Sequence, residues 1–413
     1  MRSRSDGGRP DPENKNTGNA PDGLARPIAI VAIAQLFGTS LWFSANSAAD
    51  GLMRAWRVGA GEIGWLTNAV QAGFILGTLA MSLLGIADRF RASGIFVASA
   101  VAGALSNAGF AWLAQDVHSG AFFRFLVGLS LAGIYPIGMK LVVSWEPERT
   151  GQALALLVAM LTLGTALPHF LRFTGEDLPW QWIVTCSSLL ALAGAWTIHR
   201  LGTGPHLPIR PMTDGTARPS VLSAFGIGQF RAAAIGYFGH MWELYAFWTV
   251  VPLLVASTGL ADRFPAAGVA GLSFAIIGAG TVGCLIGGAL SRRIGSDRVA
   301  LGALAVSGGC IGIFALGWPI LPPAVLMGVL LIWGASVVAD SPQFSALSAR
   351  SCPKDMVGGA LAIQNALGFA ITIVSIAGVM ALFERIGPAA VWLLLPGPAA
   401  GLFGYWRVGR RAG

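Results

Sequence analysis

Polar and apolar positions along this 413-residue chain fall into long blocks. Runs free of Asp, Glu, Lys and Arg cover 27–49, 63–87, 92–115, 150–171, 178–199, 264–291, 299–339, 356–383 and 386–406. A helix rises about 1.5 Å per residue, so about 20 residues cross a hydrocarbon core of about 30 Å, and most of these runs are that long. The run 299–339 is twice that length, and "GWPILPP" (317–323) divides it into two spans. Two further spans, around 121–144 and 232–256, hold internal charges and bring the total to twelve. Continuous apolar blocks, in place of alternating ten-residue strands, argue against a transmembrane β-barrel.

Composition and charge agree. Only 11% of the residues are charged, against about 25% in a soluble domain, too few to build an exterior that faces water. With an N-terminus inside, 21 of the 27 Lys and Arg fall in inner loops and tails, as the positive-inside rule requires. The chain therefore reads as a multi-pass integral membrane protein of the plasma membrane (the inner membrane in a bacterium) with both termini cytoplasmic. Because the basic residues lie in short loops, the net charge of +8 does not indicate nucleic acid. The stretch 27–49 exceeds a signal-peptide core of about 7–15 residues, and 26 polar residues precede it; it reads as a span and not as a cleaved leader. Cysteines 186, 284, 310 and 352 show no Cys-x-x-Cys spacing, so no disulfide, metal site or cofactor is implied.

The organisation is two-fold. A polar tail, 1–26, is expected to be disordered, and a Pro- and Gly-rich cytoplasmic linker, 200–230, separates six-span bundles at 27–199 and 231–406 before a tail at 407–413. "GQALAL" (151–156) matches "GGALAI" (358–363), "LWF" (41–43) matches "FWT" (247–249), and "GIADRF" (85–90) lines up with "ALSRRI" (289–294), at offsets of 204 to 207. Repeats of this kind place a transporter's site at the midplane between halves.

Here the sequence resembles the major facilitator superfamily from Pro27 to Trp406. "LGIADRFRA" keeps the Asp88 and Arg89 of that family's loop between spans two and three, while "GALSRRIG" keeps Gly288, Leu290, Arg293 and Gly295 but has Arg292 where the acid belongs. "RFLVGLSLA" matches an Arg-x-x-x-Gly pattern through Arg124 and Gly128. The family's antiporter signature is broken at Leu167, its sugar-porter motif is missing, and the nitrate-porter arginines have no counterparts inside spans two and eight. The resemblance implies an all-α fold of two pseudo-symmetric six-helix bundles and alternating access. It also implies a latch from Asp88 to the start of span eleven, with Arg89 in a charge cluster. In the second half a reversed latch would pair Arg292, beside Arg293, with Glu146 or Glu148; an ordinary solvated loop is the alternative.

Polar residues inside the spans are the candidate site. Gln35, Thr39, Trp42 and Asn46 form one stripe on the otherwise apolar helix of span one. Asn68 and Gln71 on span two and Gln364 and Asn365 on span eleven add amides that lipid cannot satisfy. Interhelical hydrogen bonding explains any one of them; together they indicate a wet cavity. Arg124 is deep enough to bind an anion or relay charge, His169 lies toward the outer end of span five, and Asp340 precedes Pro342 in span ten.

"GYFGHMWELYAFW" (236–248) sets His240 and Glu243 one turn apart among Trp242, Tyr245 and Trp248. A central charge costs about 2.5–3.5 kcal/mol on insertion scales, so Glu243, with His240 or Arg124 as partner, is the candidate for proton coupling. Alignment at offset 204 turns Glu243 toward the cavity; offset 206 turns Tyr245 and Trp248 there and leaves Glu243 structural. The whole reads as a secondary transporter, monomeric and not an enzyme, for a small organic anion or amphipathic solute, with protons and lipid as partners. A transporter-like sensor or an intramembrane enzyme is the rival. The chain shows neither a clustered catalytic set nor an appended signalling segment.

Overall fold

The computed structural model describes residues 26–146, 150–175, 177–206, 221–353 and 356–412. Glu148, most of the tail 1–26 and the core of the 200–230 linker lie outside these, as does the Asp88 side chain. Among the described residues there are helices and no strands.

The first span is not continuous. It runs as α1 (Arg26–Thr39), α2 (Ser44–Ser47) and α3 (Ala49–Trp56), with turns at 40–43. Then come α4 (Ala60–Leu83), α5 (Ile86–Arg89), α6 (Ala92–Trp112), α7 (Val117–Leu131), α8 (Tyr135–Trp145), α9 (Thr150–Thr174) and α10 (Trp180–Leu201). After the linker follow α11 (Gly228–Ser257), α12 (Leu260–Arg263), α13 (Gly268–Ile294), α14 (Ser296–Gly317), α15 (Pro323–Ala339), α16 (Ser341–Arg350), α17 (Val357–Ile386) and α18 (Pro396–Ala412). Short 3-10 segments occupy Val221–Gly226 and Gly387–Leu394, and α18 continues through the tail expected from 407.

Nine stretches among the described residues are long and apolar enough to cross a membrane, and one of them, 357–409, takes in α17 and most of α18. The interrupted α1–α3 and the more polar α11 are outside that set. Exposed Leu, Ile, Phe and Trp side chains are spread over the surface, including Trp65, Leu105, Trp196, Ile286 and Ile332, as a lipid-facing exterior requires.

Glycine fixes two close crossings. A Cβ on Gly128 of α7 would lie 2.0 Å from the Val70 carbonyl oxygen of α4, and one on Gly334 of α15 would lie 1.9 Å from the Ile276 carbonyl oxygen of α13. Only glycine permits the backbones to approach so closely. The helices before the linker meet those after it along two seams, α4 against α17 and α9 against α13. The face of the bundle that holds Arg26, Arg89, Arg91, Arg292 and Arg293 is termed the basic face below.

Candidate functional site

The turns at 40–43 free backbone carbonyls that a continuous helix would have bonded. Arg124, fully buried on α7, meets them: Nη1 donates to the Leu41 oxygen at 3.1 Å, to Ser44 Oγ at 3.1 Å and to Asn107 Oδ1 at 2.9 Å, while Nη2 donates to the Trp42 oxygen. Asn107 in turn donates to the Val184 oxygen at 2.9 Å and to Ser188 Oγ at 3.1 Å. Four neutral groups from α6 and the broken first span, backed by α10 through Asn107, thus hold a cation that has no acidic partner among the described residues. The guanidinium is engaged by protein oxygens, which leaves little of it for a solute anion.

The break also splits the stripe expected on span one. Gln35 turns to α8, where a Cβ on Gly138 would lie 2.2 Å from its Oε1, and Thr39 turns to Gly164 of α9. Asn46 donates to Thr67 Oγ1 of α4 at 2.9 Å. Trp42 alone points into the α4–α17 seam, with its indole nitrogen 3.1 Å from Gln71 Oε1.

There it joins a cluster of six rings. Trp42 packs on Phe74 at 4.8 Å, Tyr245 at 5.5 Å and Phe369 at 5.7 Å between centroids. Phe74 and Phe369 approach to 4.5 Å, Tyr245 and Trp248 to 5.2 Å, and Phe43 meets Trp248 edge-on at 5.8 Å. Three rings come from each side of the linker: Trp42, Phe43 and Phe74 against Tyr245, Trp248 and Phe369. Half depth in this seam is filled with rings and is not an open pocket. Two cavities, of about 790 Å³ beside Arg91, Lys140 and His199 and about 470 Å³ beside Trp65, Glu62 and Glu384, lie toward the two faces instead.

From the rings to the face opposite the basic one, the seams are closed by hydrogen bonds and packing. Asn68 Nδ2 donates to the Ile373 oxygen at 3.1 Å, the Gly61 amide donates to Glu384 Oε1 at 2.7 Å, and Phe170 packs on Phe274 at 5.1 Å. Toward the basic face Tyr135 and Asn365 are half-buried, and Tyr237 donates to Asn365 Oδ1 at 2.9 Å.

The orientation of α11 that two alignments left open is visible here. Tyr245 and Trp248 face the seam, and Glu243 faces away from it, into the later helices. Its Oε1 accepts from Trp333 Nε1 of α15 at 2.5 Å, and its Oε2 lies 2.9 Å from Ser307 Oγ of α14. Neither His240 nor Arg124 is its partner. His240 instead places Nδ1 2.8 Å from Asp340 Oδ1, at the interruption between α15 and α16. Trp242 also leaves the seam, donating to the Leu393 oxygen at 2.8 Å.

Several buried polar atoms have no hydrogen-bond partner among the described residues: both amide atoms of Gln35 and Gln364, Gln71 Nε2, His169 Nε2, His240 Nε2 and Trp248 Nε1. Such groups cost about 1–3 kcal/mol each when left dry. Arg292 and Arg293 are exposed at the end of α13, and among the described residues no ion pair joins them to Glu146. Arg89 is exposed on α5. Reasoning from sequence missed Trp333, Ser307, Asn107, Phe74 and Phe369; an indole and hydroxyls in apolar spans were a usable signal, whereas phenylalanine there is indistinguishable from lipid-facing residues.

A profile of the Major Facilitator Superfamily matches residues 29–383. The chain belongs to the major facilitator superfamily. Among its superfamily relatives, the 3-(3-hydroxy-phenyl)propionate transporter of Escherichia coli is 26% identical over 280 residues, 66% of each chain. The niacin transporter NiaP of Acinetobacter baylyi is 30% identical over 129 residues, 29% of each chain. The matched segments therefore span just under two thirds and under one third of these relatives. In fold, this superfamily member resembles a D-xylose–proton symporter (TM-score 0.70, 13% identity, 92% of this chain and 96% of that one). It also resembles the partially occluded inward-open xylose transporter XylE of E. coli (TM-score 0.70, 12% identity, 94% and 97%). Those relatives are transporters and not enzymes.

Proposed function

We propose that this protein is a secondary active transporter that moves a small aromatic carboxylate by alternating access, with proton coupling. The observation that carries the reading is the six-ring seam. Rocking the bundles 27–199 and 231–406 apart would uncover three ring faces on each side, beside two unpaired donors, Gln71 Nε2 next to Trp42 and Trp248 Nε1. A flat ring replaces ring–ring contacts worth about 0.5–1.5 kcal/mol each beyond their area, and N–H donors suit a carboxylate. The two curated relatives point the same way, since both named solutes are aromatic rings bearing a carboxyl group.

With the opposite-face side of the seam closed, this state is the one accessible from the basic face. By the positive-inside rule that face is cytoplasmic. The carrier needs no second copy in this scheme, and lipid surrounds it. Gln364 and His169 line the route, and the polar latch of Asp88 and Arg89 belongs to the same cycle.

Two measurements test this. Purified protein should gain stability with 3-(3-hydroxyphenyl)propionate or nicotinate, by about 2.7 kcal/mol at 100 times the dissociation constant, and none with xylose. Proteoliposomes should accumulate the stabilising acid when a pH gradient is imposed. Failure of every aromatic acid to stabilise the protein removes the substrate assignment, and accumulation indifferent to the gradient removes proton coupling.

A further inference from the structure

We propose that the coupled proton is carried by the His240–Asp340 pair at the interruption of the α15–α16 helix, and that Glu243 is a fixed hydrogen-bonding group. This rests on the carrier reading above and assigns its coupling element.

The geometry of the two acids differs in one respect that matters. Asp340 ends α15 and starts α16: its amide bonds back to the Val338 oxygen in place of the regular ladder, and Pro342 follows inside the first turn of α16. A ten-residue helix leading to the basic face therefore pivots where the carboxylate stands. That carboxylate touches His240 at 2.8 Å, both side chains being at most 1% exposed. The contact is an ion-pair distance only: among the described residues neither Asp340 carboxylate oxygen and neither His240 ring nitrogen has a hydrogen bond of good geometry. The groups acting on Asp340 electrostatically are His240, Glu243 on α11 and Cys284 on α13. Tyr237, one turn before His240 on α11 with its ring 6.0 Å from the imidazole, links the pair to Asn365 of α17, and Tyr135 of α8 acts on Tyr237 across the seam.

A His–Asp pair holding one exchangeable proton is neutral whichever partner has it. Gaining a second proton leaves His240 cationic beside a neutral acid; losing the first leaves Asp340 anionic beside neutral imidazole. Either change puts one uncompensated charge in a fully buried position, which is strongly unfavourable. Movement of α16 admits water and relieves it, so proton count and helix position are coupled. His240 Nε2, buried and without a partner, is the atom such water would reach.

Glu243 has no such lever. It lies in an uninterrupted part of α11, and its partners are neutral. Ser307 Oγ is also 3.1 Å from the Leu304 oxygen. A protonated Glu243 donates to Ser307, which donates onward to Leu304; an ionised one accepts from Ser307. Its hydrogen bonds are made in either form with every helix in place. An ionised Glu243 is still an uncompensated buried charge, and what separates it from the pair is that no helix interruption beside it offers a way for water to enter.

The test uses full-length protein with its four cysteines (186, 284, 310 and 352) replaced by serine. Single reporters are added at Ser345→Cys on α16 and, in the closed side of the seam, at Ile373→Cys, which keeps the backbone oxygen that accepts from Asn68. Alkylation by N-ethylmaleimide is measured at each and divided by the rate of the same variant unfolded at the same pH, which removes the intrinsic pH dependence of the thiol. The ratio of the two corrected rates is the readout. Between about pH 8 and about pH 5.5 the ratio should change at least about fivefold, the lower end of a typical coupling. His240→Gln and Asp340→Asn should each flatten that response, Glu243→Gln should keep it, and the exchanged pair His240→Asp with Asp340→His should recover it. If Glu243→Gln flattens the response while both pair variants retain it, the assignment is wrong although proton coupling stands. A flat ratio in the parent protein removes proton coupling altogether, and this assignment with it. Where a single variant does not fold, the exchanged pair decides: a folded exchange that stays flat overturns the proposal.

Discussion

The helix pair α7–α8 and its counterpart α15–α16 share a backbone frame and carry opposite charges. At an offset of 206, the cap Asp116 corresponds to Pro322, the crossing glycine Gly128 to Gly334, and Pro136 after the break to Pro342. Each helix is interrupted just before its proline. Inside the frame, however, α7 supplies the cation Arg124, whereas α15 supplies the donor Trp333 and ends on the acid Asp340. The first span is broken, exposes carbonyl oxygens and requires positive donors. Its counterpart α11 is unbroken, exposes no carbonyls and instead carries Glu243, which requires neutral donors. Backbone geometry was retained by the residues that control it, glycine and proline, and the sign of the buried charge followed the integrity of the neighbouring helix.

The comparison is broken most severely at Arg124. Arg124→Leu removes the donor shared by the Leu41 and Trp42 carbonyls, Ser44 and Asn107, and each buried acceptor left unpaired costs about 1–3 kcal/mol. Arg124→Lys should restore only part of this, because an ammonium cannot span the same fork. Denaturation in detergent measures both, and a loss below about 1 kcal/mol for the leucine variant would show that the break does not depend on Arg124. Gly128→Ala and Gly334→Ala should each cost about 1–3 kcal/mol by overpacking, and by similar amounts if the two crossings are equivalent. Gly94→Ala, whose Cβ would meet nothing within 4 Å, is the control. Glu243→Gln keeps an acceptor for Trp333 and a donor for Ser307, so it should change stability by under about 1 kcal/mol, whereas Trp333→Phe, which strips Oε1 of its donor, should cost about 1–3 kcal/mol.

How far the sequence alone led follows from which forces it records. Charge-free runs report the solvent of a helix directly, so the membrane-spanning helices and the superfamily could be read; Glu243 is the sixteenth residue of the thirty in α11. The direction Glu243 faces could not be, because a shift of two residues in alignment turns a helix by more than half a revolution. The break at 40–43 was also hidden: "SLWF" has no proline or glycine, and it is held open by Arg124, 83 residues from Leu41. Tertiary hydrogen bonding, absent from any local window, decided both. The repeat was visible in "GQALAL" and "GGALAI", yet the better markers were single residues, Gly128 with Gly334 and Pro136 with Pro342, which strings of similar letters pass over.

The smallest expected difference lies at the starts of the two matched helices. Asp116 caps α7, accepting from the Ser119 amide at 2.8 Å, and that backbone hydrogen bond holds its carboxyl below the usual carboxylate range. Pro322 occupies the same position before α15 and offers no side-chain cap. Because the folded-state pKa of Asp116 is lowered, its contribution is complete above the unfolded value of about 3.9 and is lost as pH falls through the folded one. Acid should therefore loosen the first turn of α7 and leave that of α15 unchanged. Hydrogen exchange at the Ser119 and Gly120 amides against that at Val325 and Leu326, measured from about pH 5 downward and corrected for intrinsic rates, reads the difference. Asp116→Asn keeps the cap, since asparagine is as good an N-cap, and should abolish the pH dependence at α7. Equal acid sensitivity at both helix starts would show that their loosening comes from the bundle as a whole and that the cap contributes nothing of its own.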